Sequence, residues 1–228
     1  KELILKELEV DEKPENIVLT DSFTPKINHT NIRDKYGIAI DIGTTTVAME
    51  LTDLKNSKII SKVADVNSQV KFGFDVMSRI AFTLENPGGL LALQKCIVDT
   101  LNTLINKILD ESKIRREDIA ELVVSANTTM CHILLGESVE SLGKFPFSPG
   151  FTEVKRACAK DIGIHLDATL ITLPHISGFL GSDIVSGVYA SGICDDKDKN
   201  ILFIDIGTNG EMLLKTDKKL LATSCAIG

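Results

Sequence analysis

Two short stretches carry the residues best suited to chemistry: "AIDIGTTTVAMEL" (Ala39–Leu51) and "FIDIGTNGEMLLK" (Phe203–Lys215). Each sets an aspartate at the end of an apolar run, follows it with glycine and hydroxyl or amide side chains, and then resumes an apolar pattern. A tight hairpin of that composition points backbone N–H groups and threonine hydroxyls outward, which suits a phosphate chain. Aspartate does not, because it shares the phosphate's charge sign. Two aspartates facing one cleft need a cation: at an assumed ~6 Å and an effective dielectric of ~20 they repel by roughly 3 kcal/mol. Mg²⁺ removes that cost and bridges to phosphates through its waters. Asp41 and Asp205 are therefore the expected catalytic and metal-side carboxylates. Gly43, Thr44, Thr45 and Thr46 are expected on one side of the phosphates, with Gly207, Thr208, Asn209 and Gly210 on the other.

The two stretches align without a gap at an offset of 164 residues, Asp41 on Asp205. One Asp-x-Gly hairpin is weak evidence, since glycine and aspartate occupy turns for purely conformational reasons. Two copies with the same preceding strand and the same threonine point to a duplicated domain. The second copy, Asn200–Gly228, is far shorter than the first, so the sequence is expected to stop inside its second domain.

The elements that must hold these turns follow from periodicity. "YGIAID", "TVAMELTD" and "KIISKVADV" read as three successive antiparallel strands. "FDVMSRIAFTLE" has helical spacing, and "NPGG" separates it from an amphipathic stretch, Leu90 to Leu109, whose stripe of Leu90, Leu93, Ile97, Leu101, Leu104, Ile105 and Ile108 is core packing. "IAELVVSAN" predicts a parallel strand and "TTMCHILLG" a helix ended by Gly136. After a loop marked by Pro146, Pro149 and Gly150, "ATLITLP" predicts a strand and "GFLGSDIVSGVYASG" a small-residue helix. The order β-β-β-α-β-α-β-α makes the fold class α/β, a mixed sheet with helices on its faces. Residues 1–35 read as a linker or the end of a preceding domain, with "NIVLT" their only strand-like run; residues 36–199 form the first lobe and 200–228 the start of the second.

Weaker candidates surround the hairpins. Asn127, Thr128 and Thr129 lie where a strand gives way to a helix, a place for an anion or a water near a terminal phosphate, or for a plain helix cap. Asp183 and Glu211 can orient attacking water or metal hydration, or simply be solvated. His132 and His175 suit structural roles better than metal ligation, because no second ligand sits at suitable spacing.

Of the 228 residues, 43% are hydrophobic and 25% charged, enough for one large domain or two lobes. A formal net charge of -7 argues against sequence-independent nucleic-acid binding. No apolar window reaches membrane-spanning length and the charged first residues do not form a secretory signal, so a cytoplasmic protein without a membrane partner is expected. The five cysteines are scattered, without a CxxC pair, and cannot by themselves hold an iron–sulfur cluster.

The paired hairpins and the intervening β-α order resemble the actin, Hsp70 and sugar-kinase (ASKHA) superfamily, whose two ribonuclease-H-like domains clamp ATP. "AIDIGTTTVA", "RIAF" after "FGFDVMS", "SANTTMCHILLG", "PHISGFLGSDIVSG" and "FIDIGTNGEMLL" resemble more specifically the ATP-dependent reductive activators of corrinoid proteins, over nearly all of Tyr36 to Gly228. The resemblance implies a ribonuclease-H-like ASKHA lobe plus the first strands of its duplicate, ATP with Mg²⁺ as cofactors, and a corrinoid protein as partner, with homodimerisation left open. It also implies an N-terminal ferredoxin-like domain, absent from this sequence, whose iron–sulfur cluster passes an electron to Co(II) corrinoid. The segment alone is then expected to hydrolyse ATP weakly or not at all. Two alternatives stay open: an ASKHA kinase of small metabolites, and a non-enzymatic actin-like scaffold.

Overall fold

The computed structural model describes residues 35–194, 199–217 and 219–226. The chain divides into two units, 1–32 and 33–228. The first unit, with the expected "NIVLT" strand and nearly all of the expected linker, lies outside the described residues.

The second unit begins with a meander of β1 (Tyr36–Ile42), β2 (Thr46–Asp53) and β3 (Lys58–Val66). Period-two patterning sends Ile38, Ile40 and Ile42, with Val47, Met49 and Leu51, to one face, where all are buried. Two helices, α1 (Val76–Glu85) and α2 (Gly89–Ser112), then α3 (Thr128–Leu135), supply that core. Asp75 caps α1 through a reciprocal box with Ser78, and α3 ends at Gly136 in the left-handed region. In α2 the expected stripe is buried from Leu93 to Ile108, and Leu90 packs against it half-buried.

β4 (Ile119–Ala126) pairs parallel with β1, and β6 (Thr169–Thr172) parallel with β4. β5 (Lys155–Cys158) closes the edge antiparallel to β6, giving the order β3-β2-β1-β4-β6-β5. The sequence reading missed β5, a four-residue edge strand, KRAC, too short and polar to show an apolar alternation. It also started the last helix of the lobe too early. α4 is Ser182–Ser191, and Gly178 to Gly181 precede it as non-helical chain.

A second sheet, β7 (Ile201–Ile206), β8 (Asn209–Lys215) and β9 (Leu220–Ala226), repeats the opening meander. Its inner face packs on α4 through Ile184, Val188, Phe203 and Leu213. The other face leaves Leu202, Ile204, Ile206 and Leu221 exposed, at positions whose first-copy counterparts include Ile38, Ile40 and Ile42.

Candidate functional site

The site begins at the tips of the two repeated hairpins. In the first, Ile42 pairs with Val47, and the turn closes through Gly43 N donating to Thr46 O at 2.9 Å. In the second, Ile206 pairs with Gly210, and Gly207 N donates to Asn209 O at 2.9 Å. The second turn is thus one residue shorter, and the gapless alignment of the two stretches slips at the tip. Asp41 faces Ala48 across its hairpin, whereas Asp205 faces Glu211. Cross-strand partners share a face, so the slip brings Glu211 beside Asp205.

The phosphate-side residues expected from the sequence divide accordingly. Gly43, Thr44 and Thr45 form the first tip, and Gly207 and Thr208 the second, while Thr46 and Asn209 open the returning strands. Gly210 is buried inside the ladder, paired with Ile206 and Cys225, and does not belong to the tip. Beneath the first tip a polar network takes the turn's carbonyls: Asn67 Nδ2 donates to Gly43 O at 2.9 Å, Asn67 N to Thr45 O at 2.8 Å, and Arg79 Nη2 to Thr44 O. With its carbonyls held inward, the turn leaves the amides of Thr44 and Thr45 without a hydrogen-bond acceptor among the described residues.

Asn127 follows β4 and caps α3, its Oδ1 accepting from Met130 N at 2.9 Å. The plain-cap role is therefore real. The other end of the same amide reaches the tip, Nδ2 donating to Thr44 Oγ1 at 3.3 Å. Thr128 behaves differently: it is buried and its hydroxyl donates to Ser177 O at 2.7 Å, so it faces the protein rather than the tip. Thr129 is buried too.

Asp41 pairs in register with Ser125 of β4, on the face opposite the core. On that face Ser125 Oγ donates to Ser182 O at 3.1 Å and lies 2.7 Å from Ser186 Oγ, which seats α4 over the end of the sheet. Ser182, fully buried, bonds both the N–H and the C=O of Ala126 at 2.9 Å. Gly181 packs so closely on Asn127 that a Cβ there would lie 2.5 Å from Asn127 Cα. Asp183, in the first turn of α4, is thereby carried toward both hairpins.

Four carboxylates consequently share one electrostatic environment. Asp41 is exposed as a residue, yet desolvation by its surroundings raises its carboxyl above the ordinary range, and the negative charge of Asp205 raises it further. Asp183 is pushed up to about 6, first by burial, against the Ile184 amide that stabilises its anion, with Glu211, Asp41 and Asp205 adding repulsion. Glu211 is raised by burial and by Asp205, partly offset by the Ser224 hydroxyl at 3.0 Å. None of the four has an ion-pair partner among the described residues. Hard oxygen donors with uncompensated charge fit Mg²⁺. No three His, Cys, Asp or Glu among the described residues are grouped closely enough to hold a metal ion together.

Neither histidine belongs to this cluster. His132 is buried, its Nδ1 at 2.8 Å from Thr128 O and its Nε2 accepting from Gly150 N at 2.9 Å, a fully satisfied neutral imidazole. His175 is buried with both ring nitrogens unpaired, and burial together with His132 lowers its pKa to about 4. Cys96 and Cys131 are buried; Cys158, Cys194 and Cys225 are exposed. No described helix is long and apolar enough to cross a membrane.

Sequence reasoning gave Asp183 and Glu211 only secondary weight, because nothing in the letters reveals the one-residue slip or the seating of α4. It missed Asn67, Gln69 and Arg79 altogether. A signal for Arg79 existed: it lies one turn after Val76 and next to Ile80, on the apolar side of a helix that otherwise buries Ile80.

The family model described as the RACo middle region matches residues 36–196, and the one described as the C-terminal domain of RACo, the ASKHA domain, matches residues 199–228. The corrinoid activation enzyme RamQ of Eubacterium limosum is 34% identical over 196 residues, covering 85% of this chain and 32% of RamQ. A solved structure of a reductive activator for corrinoid, iron–sulfur protein matches with a TM-score of 0.82 at 36% identity, covering 85% of this chain and 31% of that one. The chain spans about a third of the length of these relatives. With its mixed α/β lobe, its repeated hairpins and these matches, the chain belongs to the RACo family, carrying that family's middle region and sequence of its C-terminal ASKHA domain.

Proposed function

We propose that this chain contributes the nucleotide clamp of a cytoplasmic protein that returns corrinoid proteins from Co(II) to Co(I), using ATP. What supports the reading is that Asp41 and Asp205, from two copies of one hairpin, feel each other's charge and that of Asp183 and Glu211, with no ion-pair partner among the described residues. The family match supports the corrinoid partner, and the electron would come from an iron–sulfur domain outside residues 1–228. Residues 36–199 and 200–228 act in this reading as the two sides of the clamp.

The residues' roles follow from their chemistry. Thr44 and Thr45 amides, with the hydroxyls of Thr44, Thr45, Thr46 and Thr208, hold phosphate oxygens; Asn127 orients Thr44. Asp41 and Asp205 would hold Mg²⁺, through its waters. When bound, that ion neutralises the carboxylates and the triphosphate together. Asp183, its carboxyl poised at about 6, accepts a proton from the water that attacks the terminal phosphate. Glu211 and Ser224 orient that water or the metal's hydration. Motion of the two hairpins about the bound nucleotide would then alter contact with the corrinoid partner.

The test is reactivation of the Co(II) corrinoid protein by the full-length protein with a low-potential electron donor, followed by Co(I) absorbance. The reading expects ATP dependence in the parent and its loss in the combined Asp41→Ala, Asp205→Ala variant. Equal reactivation without ATP, or by the double variant, removes it.

A further inference from the structure

The largest fully buried side chain among the described residues is a cation. Arg79 is 0% exposed, and its guanidinium is held by neutral groups alone: Nε donates to Gly73 O at 3.0 Å, Nη1 to Gln69 Oε1 at 3.2 Å with Met130 Sδ at 3.1 Å, and Nη2 to Thr44 O. No carboxylate pairs with it among the described residues. Burial lowers its pKa only to about 10, so it stays charged at neutral pH. A buried charge without a counter-ion costs several kcal/mol, which a methionine or leucine in the same volume would not.

Its position gives a reason to carry that cost. The guanidinium lies directly under the first hairpin tip, bonded to the carbonyl of Thr44, a buried residue whose own amide has no acceptor among the described residues. Gln69 and Asn67 complete the support. Gln69 Nε2 donates to Leu93 O at 3.0 Å, Asn67 Nδ2 is shared between Gly43 O and Gln69 Oε1, and both side chains are fully buried. The network therefore fixes the direction of the turn's peptides. It also places a fixed positive charge behind them, where no solvent screens it.

We infer that Arg79 is a positioning residue for an anionic ligand at the Gly43–Thr45 turn, orienting the turn's amides outward and lending its charge to the ligand's phosphates through the peptide layer. The inference rests on the proposed nucleotide clamp and adds a selectivity to it. A purely structural arginine would support every nucleotide equally. A charge behind the turn favours ligands in proportion to the negative charge placed there, and at ~8 Å with an effective dielectric of ~20 one unit charge changes affinity by roughly thirty-fold.

The test measures binding of ATP, ADP and adenosine, with Mg²⁺, to the full-length protein by titration calorimetry, for the parent, Arg79→Lys, Arg79→Met and Gln69→Glu. Gln69→Glu sets a carboxylate against the guanidinium at nearly unchanged volume, so it neutralises the charge even if Arg79→Met fails to fold. The expected result is a ten- to thirty-fold loss for ATP, less for ADP and none for adenosine in Arg79→Met and Gln69→Glu. Arg79→Lys should stay within about threefold of the parent. Unchanged ATP affinity in folded Gln69→Glu, or equal losses for ATP and adenosine, overturns the inference while leaving the clamp. A parent protein that binds no nucleotide overturns the clamp itself, and this inference with it.

Discussion

Asp183→Asn should make the protein more stable at alkaline pH and less active. In the fold the Asp183 carboxyl ionises at about 6, against 3.8 for an unperturbed aspartate. A raised carboxyl pKa means that the folded state holds the proton more tightly than the unfolded chain, so ionisation destabilises the fold. The penalty is absent below pH 4, where both states are protonated, grows as pH rises from about 4 to 6, and is complete above. A shift of about two units sets a ceiling near 3 kcal/mol. Asp183 is half-buried, and solvent screening brings the expectation to about 1–2 kcal/mol, or a rise of roughly 3–6 °C in Tm. Asparagine keeps an oxygen for the Ile184 amide and so retains the local bond at the start of α4. The assay is thermal unfolding of parent and variant at pH 4.5 and pH 8, with ATP turnover in parallel. The difference in Tm should be large at pH 8 and small at pH 4.5, with turnover lost at both. A variant less stable than the parent at pH 8, or a pH-independent difference, would refute the claim that Asp183 sits among uncompensated negative charges.

Gly181→Ala should lower Tm by roughly 2–6 °C, since its Cβ would meet Asn127 Cα at 2.5 Å and Ala126 O at 2.7 Å, backbone atoms that cannot swing away. Its φ of -83° is open to any residue, so the loss is one of space, and a fall in ATP affinity should accompany it as α4 is pushed off the strand end. His175→Leu should raise stability more at pH 5 than at pH 8. His175 stays neutral in the fold down to about pH 4, so its contribution is complete above pH 6.5 and is lost as pH falls through that window; paired unfolding curves at the two pH values check this.

Much of this was legible in the letters, for identifiable reasons. Asp41 and Asp205 stand out because a duplication repeats aspartate, glycine and threonine at the same distance from an apolar strand, and the buried stripe of α2 follows from helical spacing. β5 escaped notice because a four-residue edge strand pairs on one side only and needs no apolar alternation. Glu211 could not be matched to Asp205 because a turn can lose a residue without disturbing the flanking pattern, and only the hydrogen-bonded register reveals the slip. Arg79 was hidden for a related reason. A charged residue on an apolar helix face reads as an exception until the carbonyls that hold it are known, and those come from residues six to thirty-five positions away in the chain.

The central claim is that both hairpins close on one nucleotide, and hydrogen–deuterium exchange on the full-length protein tests it most directly. On addition of Mg²⁺ and ATP, peptides spanning residues 41–47 and 205–211 should become protected together, and neither should respond to Mg²⁺ with adenosine. Protection of one turn alone, or of neither at saturating ATP, would contradict it.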